Sequence, residues 1–313
     1  MKLAVYAPFS RLATSTGLAA GLEAAGARVT RIQVPQGGIR RRLTRAKRSF
    51  LELATRDVDT LLLMKGAWLD LEDLRWLTSV CDVTYVTFDT LTCGPPGRVR
   101  SLGARAQLCK RAVATGAEAV RWLRAKRVPT AQIFQGCRPE IWAPKPADHD
   151  HGITRRIFFP GHVYDGDGGR AGYLAALTAA GLPLEHANPA IGTGLFLEAC
   201  AARFTRSAVT LNLVPQRSPG SFSNRVVRAA MAGGCILSEW CEDLATLPTG
   251  VVRTFTAPHE MLDAARTLLD RRDANAWHRE RALAWAAGMS WAHQAEKYIR
   301  FIRGEEVPND GAA

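Results

Sequence analysis

The chain has 313 residues, of which 47% are hydrophobic and 22% charged, and it carries a formal net charge of +12. This length is greater than that of a domain with one small hydrophobic core and is appropriate for two α/β domains, and the composition is typical of a globular protein. No apolar run reaches the roughly 20 residues that a membrane-spanning helix needs, so we expect no transmembrane segment. The first residues predict a buried strand rather than a signal peptide, and we expect a cytoplasmic location.

The seven cysteines are odd in number and scattered, with no C-x-x-C pair among them. This spacing indicates neither a zinc site nor a disulfide framework, and we expect reduced thiols. The D-H-D-H run at Asp148–His151 lies in a polar stretch next to prolines and is more typical of a linker than of a metal site. We therefore expect no metal cofactor.

The first half alternates between strand and helix patterns. The predicted strands are Lys2–Pro8, Ala27–Val34, Val58–Met64, Val83–Phe88, Ala112–Thr115 and Ala131–Phe134, and the predicted helices are Thr16–Ala25, Ile39–Arg56, Leu71–Leu77 and Ala117–Lys126. Such alternation predicts a doubly wound parallel sheet, which binds ligands at the carboxyl ends of its strands. Lys65 and Asp89 follow two of these strands and are candidate site residues.

A second α/β series follows the proline-rich stretch Ala143–Thr154, which predicts a linker. Its predicted elements are the strands Arg156–Pro160, Ala208–Leu213 and Cys235–Ser238, and the helices Arg170–Ala180, Asn224–Ala232, Pro258–Leu269 and Asn275–Ala286. A last helix places Trp291, Ala295, Tyr298 and Ile302 on one face, and residues 304–313 look frayed. We predict domains at 1–148 and 149–290, with the helix of 291–304 packing back on the first domain.

The stretch Leu211–Ser238 carries the strongest functional signal. A buried strand leads into a Ser/Pro/Gly loop, and Ser223 or Asn224 then begins a helix whose free N–H groups suit a diphosphate. The glycine-rich stretch Gly161–Gly169, followed by Arg170, offers a second anion-friendly helix start. Two such starts in one domain suit a nucleoside-diphosphate sugar, although each alone is a weak signal because most helices begin with a cap.

The motifs FFPGHVYDGDGGR, LNL and SNRVVRAAMAGGCILSEWCEDLATL make the chain resemble the CgeB-like branch of the GT-B glycosyltransferases. The resemblance implies two Rossmann-like domains, with an acceptor site in the first and a nucleotide-sugar site in the second. It implies a UDP- or GDP-linked donor and no metal. The donor-binding residues implied in this way are Gly161, Tyr164, Arg170, Ser223, Asn224, Arg225, Arg228 and Gly233.

The chain departs from this family at Arg228, where the family has a glutamate that binds the ribose hydroxyls. A guanidinium cannot accept hydrogen bonds from hydroxyls. Three explanations stay open: a donor with extra negative charge, a ribose held by other groups, or loss of catalysis. Glu239, Glu242 and Asp243 are candidates for a replacement carboxylate.

Two residues are candidates for the chemistry itself. Asp89 would act as general base toward an acceptor hydroxyl, and His162 would stabilise charge on the leaving group. Each is equally compatible with a structural role.

The acceptor prediction depends on charge. Residues 1–150 carry a net +11 and residues 151–313 a net +1, so the first half has nearly all of the positive excess. Cations on the helix Ile39–Arg56 are the candidate acceptor-binding set, together with Lys65: Arg40, Arg41, Arg42, Arg45, Lys47 and Arg48. Further basic residues follow at Arg98, Arg100, Arg105, Lys110 and Arg111.

This asymmetry favours a polyanionic acceptor, and DNA carrying a hydroxymethylated pyrimidine is the leading hypothesis. The alternative partner is an anionic membrane surface, which the lack of tryptophan in that helix makes less attractive. A transferase acting on protein, polysaccharide or lipid, and a catalytically silent binding protein of the same fold, stay open as alternatives.

Overall fold

The computed structural model describes residues 1–10, 13–34, 51–52, 54–64, 69–88, 91, 96–145, 152–163, 168–188, 195–214, 223–308 and 310. The chain forms two compact units. Unit 1 combines Met1–Gly136 with Trp291–Ala312, and unit 2 comprises Cys137–Ser290.

Unit 1 contains a parallel sheet of six strands in the order β2-β1-β3-β4-β5-β6. The strands are β1 (Lys2–Ala7), β2 (Arg28–Gln33), β3 (Thr60–Met64), β4 (Asp82–Thr87), β5 (Arg111–Ala114) and β6 (Thr130–Gln132). The helices are α1 (Thr14–Ala24), α2 (Leu71–Val80), α3 (Pro96–Leu108), α4 (Ala117–Ala125) and the last helix of the chain, Trp291–Ile302. The central strand β3 is buried at all five positions, as expected for a parallel strand covered on both faces.

The last helix lies against α1 because glycines leave room for Trp291. A Cβ atom on Gly21 would lie 2.6 Å from the carbonyl carbon of Trp291, and one on Gly136 would lie 2.7 Å from its Cα. Trp291 is buried, and Tyr298 and Ile302 join it in a core with residues of β1 and α1. The C-terminal segment is therefore part of the core of unit 1.

The tail after this helix is not frayed throughout, contrary to the sequence expectation. The Asp310 carboxylate accepts a hydrogen bond of 2.7 Å from the Phe134 amide and pairs with Lys297. The Asp310 side chain is only 9% exposed. Residues 304–308 thus lead to a specific contact beyond the end of β6.

Unit 2 contains a parallel sheet of five strands in the order β11-β10-β9-β7-β8. The strands are β7 (Thr154–Pro160), β8 (Leu184–Ala187), β9 (Ser207–Asn212), β10 (Ile236–Glu239) and β11 (Arg253–Phe255). The helices are α5 (Pro139–Trp142), α6 (Gly168–Ala179), α7 (Leu197–Arg206), α8 (Asn224–Met231), α9 (Pro258–Asp270) and α10 (Arg272–Ala286), after which the Trp291–Ile302 helix is α11. Helices α6 and α9 share a core with β7 and β9.

The division between the units falls after Gly136 and not at the expected residue 148. Helix α5 explains the difference, because the buried Trp142 ring packs on Phe204 of α7 at 5.9 Å between centroids. The Cys137 amide also donates to the Met289 carbonyl at 2.8 Å. Residues 137–142 are therefore held by unit 2, ahead of the proline-rich stretch.

Candidate functional site

The carboxyl ends of β7, β9 and β10 meet at one edge of the unit 2 sheet, because these neighbouring strands are parallel. Gly161 follows β7, Leu213 and Val214 follow β9, and Glu239 ends β10. Ligands of such sheets bind at this edge. It is the place where the candidate donor residues come together.

Helix α8 begins at this edge. Ser223 is its N-cap, in extended conformation, and its hydroxyl accepts a hydrogen bond of 3.3 Å from the Arg225 amide. The Val226 amide donates to the Ser223 carbonyl at 2.9 Å, and the dipole of the helix gives this end a partial positive charge. Ser223, Asn224 and Arg225 lie together there, as the sequence indicates.

The Arg225 side chain reaches across two strand ends. Its Nε donates to the Pro160 carbonyl and its Nη1 to the Asn212 Oδ1, each at 2.8 Å. The guanidinium also lies 5.1 Å from the Phe159 ring centroid. Gly161 makes this position accessible, since a Cβ atom there would lie 2.7 Å from the Arg225 Nη2.

Arg170 also lies near the Phe159 ring, 6.0 Å from its centroid. Its guanidinium is buried and donates to the carbonyls of His162 at 2.8 Å and Leu213 at 2.9 Å. Burial, and next the neighbouring Arg170 charge, lower the pKa of Arg225 to about 9. Arg225 forms no ion pair with any residue in the described ranges. Its positive charge is thus desolvated at a helix N-terminus, where an anion would relieve the cost.

The sequence analysis missed a polar network beneath Arg225. Asn212, buried in β9, donates from Nδ2 to the Ser238 Oγ at 2.8 Å, and Ser238 donates to the Glu239 carbonyl at 2.9 Å. A polar Asn inside an otherwise apolar strand was the available signal. The network fixes the Asn212 amide so that its oxygen faces Arg225.

Arg228 packs on an aromatic ring of unit 2. It lies one turn after Arg225 on α8, with its guanidinium 4.9 Å from the ring centroid of Trp142. Its pKa is lowered, mainly by burial. No described residue forms a hydrogen bond or ion pair with the Arg228 guanidinium. Its role toward the donor stays a prediction.

The candidate replacement carboxylates have structural contacts of their own. The Glu239 Oε2 accepts a hydrogen bond of 2.9 Å from the Val214 amide, and Asp243 is fully buried. Glu242 is exposed in the short 3-10 helix Glu242–Thr246. Of the three, Glu239 is the one at the strand edge beside the site.

Gly233 lies at the opposite end of α8 from Ser223, and its assignment to the donor site stays a prediction. It follows the C-terminal end of α8 with a φ of +65°, and a Cβ atom there would lie 3.6 Å from Pro144. A helix of eight residues spans about 12 Å, so Gly233 is far from the Ser223 end. Glycine occurs at this position of the motif because the backbone there, at the end of α8, has a positive φ.

Several candidates lie outside the described residues: Lys65, Asp89, Tyr164, and the basic set Arg40, Arg41, Arg42, Arg45, Lys47 and Arg48. His162 is described, and its carbonyl accepts from Arg170. Within the described ranges, no group of three or more His, Cys, Asp or Glu residues is arranged to hold a metal ion. No described helix is both long and apolar enough to cross a bilayer.

Residues 176–300 match the family model described as glycosyl transferase-like. The chain has no match among curated protein sequences. Among solved structures, HepE of Anabaena in complex with UDP is similar with a TM-score of 0.70 at 10% identity, over 97% of this chain and 100% of that one. Sucrose-phosphate synthase of Thermosynechococcus elongatus gives 0.69 at 12% identity, over 97% and 98% of the two chains. A glycosyltransferase of Rickettsia africae gives 0.64 at 10% identity, over 97% and 98%.

At these identities the structural likeness establishes the fold, which is the two-sheet GT-B architecture that the sequence predicted. The family match spans α8 and its Arg225, and therefore includes the helix that builds the site. The chain therefore has the GT-B fold, and its residues 176–300 match a glycosyl transferase-like family model. Membership of the CgeB-like branch stays a prediction.

Proposed function

We propose that unit 2 binds a nucleotide sugar, UDP- or GDP-linked, with its diphosphate at the N-terminus of α8 beside Arg225. The observation that carries this proposal is the half-buried guanidinium of Arg225, which is partly desolvated and has no ion-pair partner among the described residues. A diphosphate would accept hydrogen bonds from the first amides of α8 and neutralise this charge. The UDP and UDP-glucose complexes of HepE support a donor of this kind.

In the proposed reaction, an acceptor oxygen forms a bond to the anomeric carbon of the sugar. The bond from that carbon to the phosphate oxygen breaks, and the nucleoside diphosphate leaves with the electron pair. Arg225 and the α8 N-terminus stabilise the negative charge that develops on the leaving group, so no metal is required. Asp89 takes the acceptor proton, and His162 adds stabilisation of the leaving group.

We propose a hydroxyl of a polyanion as acceptor, with a hydroxymethylated pyrimidine base in DNA as the leading case. The support is the net +11 of residues 1–150, against +1 for the rest of the chain. Lys and Arg side chains bind phosphate groups without reading sequence, and the reactive hydroxyl would then be presented by the modified base.

A thermal-shift panel of UDP-, GDP-, ADP- and CDP-sugars tests the donor site. We expect one donor class to raise the melting temperature of the wild type and to do so much less in Arg225→Gln. Arg279→Gln is the matched control, because Arg279 is also a half-buried arginine of unit 2 and bonds to the backbone carbonyls of Ser207 and Thr205 at the other end of β9. Stabilisation that survives in Arg225→Gln would overturn the assignment.

Release of nucleoside diphosphate in the presence of hydroxymethylated DNA tests the acceptor. Donor binding with no turnover on DNA, but with turnover on a glycan, protein or lipid acceptor, would contradict the DNA proposal and leave the donor site intact. Donor binding without turnover on any of these would indicate the catalytically silent alternative.

A further inference from the structure

Residues 96–127 form one of two strongly basic segments of unit 1, and the other, residues 40–48, lies outside the described residues. Residues 96–127 contain nine Lys or Arg residues and a single acidic residue, Glu118. This segment forms α3, β5 and α4 and supplies a net +8 of the +12 carried by the whole chain. Charge of this density on one side of a unit needs a physical account.

Some of these cations are engaged inside unit 1. Arg105 donates to the Leu69 carbonyl at 2.8 Å, and Lys110 pairs with Asp82. Arg111 donates to the Phe301 carbonyl at 2.6 Å, at the C-terminal end of α11. These three side chains are accounted for by the fold.

Four others are not neutralised in this way: Arg100, Arg124, Lys126 and Arg127. None of the four forms an ion pair with a residue that the structure describes. Arg100, Arg124 and Arg127 are exposed, and Arg124 bonds only to the Thr130 carbonyl, at 2.8 Å. No described carboxylate neutralises these positive charges, so they can attract anionic groups to the surface of unit 1.

Contacts between α3 and α4 bring Arg100 and Lys126 onto one surface. Gly103 of α3 lies under Trp122 and Lys126 of α4, since a Cβ atom on Gly103 would be 2.8 Å from the Trp122 ring and 3.2 Å from the Lys126 Cε. The Lys126 Nζ lies over the Trp122 ring, 4.7 Å from its centroid. Arg100 is one turn before Gly103 and shares its face of α3. Arg127 directly follows Lys126, whereas Arg124 projects from the opposite side of α4, where it bonds to Thr130 of β6. We call the surface of Arg100, Lys126 and Arg127 the α3–α4 basic face.

This face is distinct from the carboxyl edge of the sheet, where an acceptor would react. Helices that connect parallel strands run antiparallel to them, so the last turns of α3 and α4 lie toward the amino ends of β5 and β6. The bond from Arg124 to Thr130, the first residue of β6, confirms this placement. A polyanion on this face would be held away from the chemistry.

A phosphate backbone fits the face better than a membrane does. Among the described residues of 96–127 there is no exposed large apolar side chain, so nothing there would insert into a bilayer. Trp122 is half-buried and covered by Lys126. Two of the three cations of the face are arginines, whose planar guanidinium binds phosphate oxygens in pairs.

We propose that the α3–α4 basic face docks the phosphodiester backbone of a nucleic acid and holds it on unit 1, independently of the sugar donor. The proposal rests on the proposed function only for its biological purpose, which is to retain a DNA acceptor. Binding itself requires neither donor nor turnover. About three phosphate contacts predict that log Kd rises with log salt with a slope of about 3.

The test uses fluorescence anisotropy of a labelled mixed-sequence DNA duplex, over a salt series and without nucleotide sugar. The variant is the triple charge reversal Arg100→Glu, Lys126→Glu and Arg127→Glu. We expect at least about a tenfold loss of affinity at low salt and a slope lower by about three. Circular dichroism of the variant checks that it is folded.

The matched control reverses three exposed arginines of unit 2: Arg253→Glu, Arg272→Glu and Arg281→Glu. Both triple variants lower the formal net charge from +12 to +6, because each change removes two positive units. Equal loss in both variants would mean that only net charge matters, and unchanged binding in the α3–α4 variant would mean that the face is not used. Either result overturns the proposal, as would binding to phosphatidylserine vesicles without binding to DNA. DNA docking without turnover would instead support the face and contradict the DNA-acceptor reaction.

Discussion

At the centre of the proposed donor site, the guanidinium of Arg225 occupies the space left by the missing side chain of Gly161. The Phe159 ring lies near both this guanidinium and that of Arg170, and Asn212 and the Pro160 carbonyl hold Arg225 in place. Three neutral groups therefore orient a cation that has no described anionic partner. This arrangement costs folding free energy, and an anionic ligand would recover part of that cost.

Gly161→Ala tests this arrangement. The Phe159 ring, 2.8 Å from the new Cβ atom, cannot easily move, so the flexible end of Arg225 would be displaced. We expect donor affinity to fall about tenfold or more, equivalent to about 1.4 kcal/mol. Titration calorimetry with UDP-glucose measures the effect, provided that the thermal-shift panel selects a UDP-sugar.

Gly172→Ala is the control for Gly161→Ala, because a Cβ atom at Gly172, in α6, meets nothing within 4 Å. It should leave donor affinity unchanged and raise stability by about 0.5–1 kcal/mol, as expected for alanine in a helix. Equal affinities in both alanine variants would show that Arg225 does not need this position.

Arg228→Glu tests whether the side chain at position 228, one turn into α8, lies near the diphosphate or faces hydroxyls of the donor. The change removes the cation above Trp142 and puts a carboxylate within one turn of Arg225, where it would compete with a bound diphosphate. We expect weaker binding of UDP-glucose, by about tenfold, and a stability loss of about 1 kcal/mol from the lost cation–π contact. Arg228→Gln separates loss of the cation from gain of the carboxylate.

Tighter binding in Arg228→Glu would contradict this expectation. It would mean that position 228 faces hydroxyls of the donor, as the family resemblance implies, and that arginine there weakens donor binding. The comparison of both variants by calorimetry therefore decides how the departure from the family pattern is to be understood.

Sequence reasoning pointed to Gly161 and the start of α8 because their pattern is local, and the structure brings them to the same edge of the sheet. It missed the contacts of Phe159 and Asn212 with Arg225, since these depend on which strands become neighbours, and β7 and β9 are separated by β8, α6 and α7 in the chain. It could not tell that Gly233 lies at the far end of α8, because a motif gives chain order and not the end of a helix at which a residue lies.

At the scale of elements, long apolar strands and amphipathic helices were predictable, and short or half-exposed ones were not. The structure adds α3, α5, α7, β8 and β11 to the predicted elements. Strand β8 is an edge strand with one buried residue out of four, and β11 has one out of three. Helix α3 carries Gly97, Gly103 and three arginines, which obscure its apolar periodicity.

Gly21→Ala tests the packing of α11 on α1. Its Cβ atom would lie 2.6 Å from the backbone carbonyl carbon of Trp291, and a backbone atom cannot give way as a flexible side chain does. We expect a loss of stability of about 1–3 kcal/mol, typical of overpacking, measured by denaturant unfolding. Gly97→Ala is the control, because a Cβ atom there meets nothing within 4 Å, and it should change stability by less than about 0.5 kcal/mol.

At the scale of the whole molecule, the chain builds unit 1 from its two ends and unit 2 from its middle. The sequence predicted this wiring through the apolar face of its last helix. It could not place the division at Gly136, because the packing of Trp142 in unit 2 involves α7, a helix that the pattern did not show. The uneven charge follows the same division, with α3 and α4 in unit 1.

This chain order predicts that a stop codon after Ser290 destabilises unit 1 and not unit 2, although unit 2 is the one that directly precedes the truncation in sequence. The truncation removes Trp291, Ala295, Tyr298, Ile299 and Ile302 from the core that they share with β1 and α1 of unit 1. It removes no residue that contributes to the unit 2 core of β7, β9, α6 and α9. We therefore expect hydrogen exchange to show loss of protection in residues 1–136 and retained protection in 137–290, where the nucleotide should still protect residues 223–231. Full-length protein with Gly97→Ala serves as the reference. Loss of hydrogen-exchange protection in both units together would contradict the prediction, because it would show that unit 2 depends on unit 1 for its stability.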